Sequence, residues 1–429
     1  MSAVTALIAS RLSTRESGQL ASLIIRLAVV STALCVAVMI LATAMLRGFK
    51  SEISEKIFGF WGHVHVAATQ PGDPLFDPIP FDVDAAWIDS LARLTGPVAY
   101  PLGYEQLGLP PESTAGVRHV QTYIVKPGVI QTKEEIEGIL LKGGGEDFDW
   151  TFFGDNLKAG ALPALSDSAA SREVLLSVQT AARVELEVGD PFVVHFPEGN
   201  RLRKKRFTVA GLYRTGLEEY DTQFAIVDMR TLQELLGWER DQVSGVELFL
   251  DDTDDIEGLA AYTYYEVLPP EYYAETVRER FPGIFEWLDL QDVNEVVILG
   301  LMLLVAITNM TTAVLILILE RANMVGVLRT LGMGGRDLRR VFLRFGGRIL
   351  LRGLLWGNAI GLGLALLQKV TGVIQLSEEN YYLSRAPIKI DWAVLLALNA
   401  GTVLLVMLVL LIPARVVTRI DPVKTLRFD

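Results

Sequence analysis

The chain has 429 residues, 51% of them apolar, a mean hydropathy of +0.34 and a formal net charge of −12. That length could hold two or three domains, and the apolar share and hydropathy are high for a wholly soluble protein. The single cysteine, Cys35, lies in an apolar run, which excludes a disulfide framework, and the acidic balance argues against nucleic acid as a partner.

Four stretches carry little or no charge: Ala21–Leu46, Val296–Leu319, Gly353–Leu367 with its flanks, and Trp392–Pro413. Each approaches the ~20 helical residues needed to cross a bilayer core. Arg348 and Arg352 intrude at the start of the third. In the first, Ala42-Thr43-Ala44 is like a signal-peptidase site, but the run begins too late and is too long for a secretory h-region, so it reads as an uncleaved anchor.

Residues 47–292 carry twice as many acids as bases, and the remainder of the chain the reverse. Lys and Arg are retained on the cytoplasmic side of membrane spans. Arg11, Arg15 and Arg26 therefore put the N-terminus inside, and Arg415, Arg419, Lys424 and Arg427 do the same for the C-terminus. The expected fold is membrane α-helical, with four transmembrane helices and a large α+β extracytoplasmic domain inserted between the first and second. The expected segments are a first span at 21–46, the extracytoplasmic domain at 47–293 and a second span at 294–319. A cytoplasmic hairpin at 320–345, a third span at 346–368, an extracytoplasmic loop at 369–391, a fourth span at 392–413 and a cytoplasmic tail at 414–429 complete the chain.

Within the outer domain, "REVLLSV", "DPFVVHF", "KRFTVAGLYR", "TQFAIVD" and "VSGVELFLDD" are short β-rich runs between Gly, Pro or charge clusters. "DVDAAWIDSLARL" (82–94) and "MRTLQELLGW" (229–238) have helical periodicity, and "QPGDPLFDPIP" (70–80) and "LPPE" (109–112) are loops. His63 and His65 flank Val64 as two ligands on one face of a strand would. No Cys or third His lies nearby, and Val64 and Val66 alternate as in a half-buried strand, so no metal site is assigned. No catalytic residues emerge: the chain has neither a G-x-S-x-G elbow nor a G-x-x-x-x-G-K-[ST] phosphate loop. If ATP is used, another chain binds it, and no cofactor is expected in this one. The basic run Arg201, Arg203, Lys204, Lys205 and Arg206 follows "PEGN" and precedes "FTVAGLY", which places it at the tip and return strand of a hairpin. It is either a solvated turn or a docking prong for an extracytoplasmic partner.

In the membrane part, Asn309 lies midway along the second span and faces other helices or a cavity, because an amide in hydrocarbon needs a partner. Gly353, Gly357 and Gly361 recur every four residues in the third span, which lets helices approach closely, within or between subunits. Between the second and third spans runs "LERANMVGVLRTLGMGGRDLRRVFLRF" (319–345), with six arginines. Met324, Val327, Leu328 and Leu331 form an apolar stripe beside Arg321 and Arg329. "GMGG" (332–335) breaks the helix. A second helix begins near Asp337, with Leu338, Val341, Phe342 and Phe345 on one side and Arg336, Arg339, Arg340 and Arg344 on the other. Such a hairpin suits anionic lipid headgroups, or a groove on a cytoplasmic protein.

Several passages carry a family resemblance. "ERANMVGVLRTLGMGGRDLRRVF" resembles the E-R-x-x-E-I-G-[VL]-[LM]-[RK]-A-[LI]-G-A pattern after the second helix of ABC transporter permeases of the MacB/FtsX/lipoprotein-release (LolC/LolE) superfamily. "PARVVTRIDPVKTLRFD" resembles the superfamily's C-terminal ending, and "LSEENYYLSRAPIKIDW" resembles the LolC/LolE branch. The resemblance implies a cytoplasmic amphipathic elbow at 1–20 and a multi-pass protein of the bacterial inner membrane. It implies a permease that works with two copies of a separate ABC ATPase, which holds the ATP and Mg, and with a second permease, itself or a paralogue. A lipoprotein substrate and a soluble periplasmic carrier docking near Phe196–Arg206 follow from the same branch. Glu320, Arg321, Gly326, Leu328, Arg329 and Gly332 would form the coupling helix that meets the ATPase. Asn323, Met324 and Thr330 depart from the pattern. An FtsX-like signalling subunit acting on a cell-wall hydrolase and a MacB-like efflux permease are the alternatives.

Overall fold

A 43-residue helix, α1 (Gln19–Trp61), opens the described chain. The computed structural model describes residues 19–70, 78–83, 86–132, 135–165, 170–198, 201–377 and 381–416. The expected elbow up to residue 18, with Arg11 and Arg15, and the tail from residue 417, with Arg419, Lys424 and Arg427, lie outside the described residues. The chain divides into two compact units. One comprises the described residues up to Glu52, Glu286–Gln375 and those from Arg385 on; the other comprises Ile53–Phe285 and Leu376–Ser384.

The second unit is the α+β domain. Its strands are β1 (Val64–Ala68), β2 (Phe81–Asp82), β3 (Val117–Gln131), β4 (Ile136–Gly144), β5 (Leu157–Gly160) and β6 (Glu173–Ser177). They continue with β7 (Pro191–Glu198), β8 (Arg201–Tyr213), β9 (Phe224–Asp228), β10 (Gln242–Val243), β11 (Gly245–Leu250) and β12 (Tyr272–Thr276). Nine of them run β12-β1-β11-β3-β4-β9-β6-β8-β5 across one sheet, with β7 bridging β3 and β8, while β2 and β10 form a separate ribbon. The sheet is mixed: β4 with β9 and β6 with β8 are parallel, and the other pairs are antiparallel. The central strand β9, "FAIVD", is an apolar run closed by Asp228, as burial on both faces favours, and all five of its residues are buried. Helix α2 (Met229–Leu236) follows it directly. Asp228 caps it by accepting from the N–H of Arg230 at 3.0 Å, and Gly237 ends it at φ 71.

β1 differs from expectation. It lies between β11 and β12, and its first four residues are buried, so it is covered on both faces rather than half-buried.

The first unit is helical. Beside α1 it holds α3 (Pro282–Glu320), α4 (Ala322–Thr330), α5 (Gly335–Thr371) and α6 (Trp392–Val409). Among the described residues, four helices are long and apolar enough to cross a membrane: α1, α3, α5 and the one beginning at Trp392. All but the last exceed their apolar windows. α1 continues past Leu46 through Arg47, Lys50, Glu52, Glu55 and Lys56, residue types that favour helix once solvated or paired. The arginine-rich arm after Gly334 is likewise the first part of α5 itself, so the expected division at residue 345 falls inside one continuous helix.

The helices share a core that includes Val36, Ile40, Met310, Val314, Ile318, Val341, Phe342, Phe345, Ile349 and Val406. Ends are tied by charge: Arg47 reaches Glu295 at 3.6 Å and Asp391 at 3.3 Å, and Lys50 reaches Asp292 at 2.6 Å. Asp391 also caps α6, accepting from the N–H of Ala393 at 2.9 Å.

The three glycines of α5 set how closely it meets α1. A Cβ at Gly353 would come within 2.7 Å of Thr32 Cβ, one at Gly357 within 2.6 Å of Val36 Cβ, and one at Gly361 within 3.1 Å of Ala37 Cα. Gly363 has nothing within 4 Å. Replacing Gly357 by Leu should therefore destabilise the helical unit by about 1–3 kcal/mol, the usual cost of overpacking, whereas Gly363→Leu should be neutral. Thermal unfolding of the detergent-purified variants measures the difference, and equal midpoints would refute the packing argument.

Candidate functional site

α4 is the short helix between the second and third apolar helices. Arg321 breaks α3 at φ −98, ψ 15, and the chain re-enters helix at Ala322. Its end is a Schellman motif. The N–H of Met333 donates to Leu328 O and that of Gly332 to Arg329 O, both at 3.0 Å. This requires a left-handed residue at the turn, and Gly332 supplies it at φ 86. Gly332 is therefore the stop that separates α4 from α5.

The faces of α4 differ from the expected stripe. Val325 is fully buried in the helical core and Gly326 is buried beside it, with Met324, Leu328 and Met333 packed against the same cluster. Val327 and Leu331, expected on that side, are 45% and 78% exposed. The reason is the break at Arg321, which rotates the helix so that Val325 joins Leu317, Ile318 and Leu338. Glu320 is exposed; Arg321 and Arg329 are half-buried. α4 thus presents Glu320, Val327 and Leu331 outward while Val325 anchors it. In the following helix Leu338, Val341, Phe342 and Phe345 are buried, as periodicity indicates, and Arg336, Arg340 and Arg344 are exposed.

Asn309 donates through its amide to the Ser31 hydroxyl of α1, a helix–helix hydrogen bond. A second polar tie has no sequence signature: Asn358 of α5 and Asn399 of α6 exchange amide hydrogen bonds at 2.7 and 3.0 Å. Each amide also donates to the carbonyl four residues earlier, at 2.8 Å. The pair therefore satisfies its own polarity where lipid cannot.

The basic run lies on the β7–β8 hairpin, whose register pairs Glu198 with Arg201 and Phe196 with Arg203. Strand alternation divides it. Arg203 donates to Leu235 O, and Lys205 bonds Thr231 O at 3.3 Å and Glu234 at 2.8 Å, so both fold back onto α2. Leu202, Lys204 and Arg206, on the other face, are exposed. The side chain of Arg201 lies outside the described residues.

A fully buried charge pair of the sheet unit was invisible to sequence reasoning. Lys142 is fully buried and donates to Phe60 O, in the last turn of α1, and to Glu247 Oε1, each at 2.7 Å. Gln121 donates to the other oxygen of Glu247 at 2.6 Å. Trp61 lies 4.6 Å from the ammonium. Burial pushes the Lys142 ammonium down and the Glu247 carboxyl up, and each charge opposes the other's shift.

His63 and His65 border this cluster. His63 stacks on Phe58 at 4.4 Å and accepts from the N–H of Leu250 at 3.1 Å. His65 packs edge-on against Trp61 and Tyr123. Among the described residues no group of three His, Cys, Asp or Glu side chains could hold a metal.

Residues 27–262 match the MacB-like periplasmic core domain family, and residues 296–422 match the FtsX-like permease C-terminal family. The chain belongs to the MacB/FtsX-like permease family. Among relatives of this permease, the lipoprotein-releasing system transmembrane protein LolC of Xylella fastidiosa (strain 9a5c) is 25% identical over 415 residues, covering 94% of this chain and 93% of that one. LolC of Neisseria meningitidis serogroup B is 23% identical, covering 95% of each chain. LolE of Haemophilus influenzae is 21% identical, covering 96% of each. The extracellular domain of the noncanonic ABC-type transporter YknZ from Gram-positive bacteria is 14% identical, covering 50% of this chain and 99% of that domain at a TM-score of 0.31.

The permease's sheet unit should be acid-labile. Burial, with Arg118 and Arg278 nearby, lowers the His63 pKa from 6.5 to about 4. Burial also holds His65 well below its ordinary value, aided by Arg280, Lys142 and His63. A depressed histidine pKa means the unfolded state binds the extra proton first, so stability is present above 6.5 and falls with pH toward 4. For His63 the loss is about 2 kcal/mol between neutrality and about pH 5. Urea unfolding of the full protein followed by tryptophan fluorescence should show a midpoint that drops over that range, and a smaller drop in His63→Asn. A flat midpoint would contradict the assignment.

Proposed function

We propose that the chain is a permease subunit of an ATP-driven ABC transporter that releases lipoproteins from the bacterial inner membrane. The observation that carries this reading is the match to LolC and LolE chains along nearly the full length of both partners. The permease itself is not the enzyme; ATP and Mg belong to two copies of a separate ATPase, and a second permease completes the pair. Both termini and α4 are cytoplasmic in this reading, and the sheet unit is periplasmic, as the charge distribution supports.

Mechanically, the ATPase pushes on α4. Val327 and Leu331 offer the apolar contact a groove would take, flanked by Glu320 and Arg329. Val325, seated in the helical core, passes the displacement to α3 and α5. α1, which continues unbroken from the helical unit into the sheet unit, carries it on to the periplasmic side. The outer unit then helps expel a lipid-anchored protein toward a soluble periplasmic carrier, for which Leu202, Lys204 and Arg206 are the exposed hairpin face.

Substituting Glu for both Val327 and Leu331 should abolish co-purification of the ATPase from native membranes while leaving the permease folded and inserted. Lipoproteins should then accumulate in the inner membrane on fractionation, as they should after depletion of the chain. Retained ATPase with the double variant would remove α4 as the docking helix. Normal lipoprotein sorting on depletion, with filamentous cells, would replace release by hydrolase signalling.

A further inference from the structure

The sheet unit contains a cleft of 520 Å³ that no part of the release reading uses. It is lined by the turn after β4, by Met229, Arg230 and Gln233 of α2, and by Val83, Arg240, Asp241 and Val243 around the β2–β10 ribbon. That volume is within the about 300–1,000 Å³ of small-molecule sites.

Gln233 marks it as a built site. The residue is 3% exposed, and its Nε2 donates to the carbonyls of Arg240 and Gln242, both at 2.9 Å, which assigns the amide's orientation. Its Oε1 is buried on the cleft wall with no donor. A buried carbonyl without a donor is unfavourable, so a ligand N–H placed there is favoured.

Around it the charges are mixed. Asp147 is held by the Thr122 N–H at 2.6 Å and the Thr122 hydroxyl at 2.9 Å, both on Oδ2. Asp147, Glu146 and Asp241 are all exposed on the cleft. Arg230 is bound to Asp228 at 3.2 Å, whereas the Arg240 guanidinium has no ion pair or hydrogen bond among the described residues. Gly145 contributes no side chain, and a Cβ there would come within 2.8 Å of Asp147 Oδ1.

A simple anion would meet three carboxylates. A simple cation would leave Arg240 unmatched, and an apolar molecule would leave the Gln233 oxygen without a donor. The complement is a molecule with an ammonium and amide N–H groups at one end and a carboxylate at the other. We propose that this cleft binds a short zwitterionic peptide, its carboxylate on Arg240 and its N–H groups on Gln233 Oε1 and the neighbouring carboxylates.

Equilibrium dialysis of the full-length protein in detergent against labelled trialanine tests this. Saturable binding is expected, weakened roughly ten-fold, or about 1.4 kcal/mol, by N-acetylation of the peptide and equally by amidation of its C-terminus. Arg240→Ala should weaken trialanine by a similar factor yet leave trialanine amide unaffected. Asp241→Asn should lower affinity for trialanine and not for the N-acetylated form. Unfolding midpoints of both variants should match the parent, because neither side chain carries a contact the fold uses. No saturable binding, or affinity indifferent to both blocked termini, overturns the proposal. So does binding of N-acetylglucosamine in place of trialanine, which would make the cleft a sugar site.

Discussion

The bond from Lys142 to the carbonyl of Phe60 governs how the sheet unit is built. A helix end leaves its last carbonyls without intrahelical donors, and here those carbonyls enter the interior of a sheet. The ammonium meets one of them, and its positive charge suits the negative pole of the helix. Because it is buried, the ammonium needs an anion, which Glu247 provides from β11, and Gln121 of β3 satisfies the remaining carboxylate oxygen. Three strands and a helix thus meet at one charge pair. Removing one partner leaves a buried, uncompensated charge and costs about 3–5 kcal/mol; exchanging the pair for apolar groups of equal volume costs far less. Its contribution is therefore to fix which strand lies beside the helix end.

The same joint explains the residues after Trp61. Gly62 adopts φ 73 and its N–H returns to Phe58 O at 2.7 Å, closing the helix. The N–H of His63 then donates to Leu248 O at 2.8 Å, so the chain enters the sheet within two residues of leaving the helix. No flexible linker separates α1 from β1. Of the aromatic residues at the joint, Phe60 and Trp61 are buried against Tyr220, Phe224 and Phe281, and Phe58 against His63 and Phe285.

How much of this is legible in sequence depends on range. The apolar runs mark the membrane helices because hydrocarbon tolerates few charged side chains there. Their true lengths are not marked, since Arg47, Lys50, Glu295 and Asp292 read as loop charges until their partners across the unit are known. Local rules gave Gly332 its role as a helix stop and placed the buried face Leu338, Val341, Phe342 and Phe345. They misassigned Val327 and Leu331, because one broken residue at Arg321 rotates a nine-residue helix. The Gly353, Gly357 and Gly361 row was visible, but its partner on α1 was not, being separated by some three hundred residues of chain. Asn358 with Asn399, and Lys142 with Glu247, are pairings of this long-range kind and leave no periodic signal. The Gln233 amide was likewise hidden, since within a helical pattern it reads as a solvated position.

Within lipid the helical unit has no hydrophobic force to hold it together, because the tails are as apolar as leucine. Close backbone approach and internal hydrogen bonds must do so instead. The glycine row brings α5 onto α1, Asn309 ties α3 to Ser31 of α1, and the Asn358–Asn399 clasp ties α5 to α6. α1 and α5 are therefore the shared elements: α1 is held by two neighbours, and α5 begins directly after α4. Val325, buried in the same core as Ile318 and Leu338, ties α4 to the helix whose glycine face is fitted to α1.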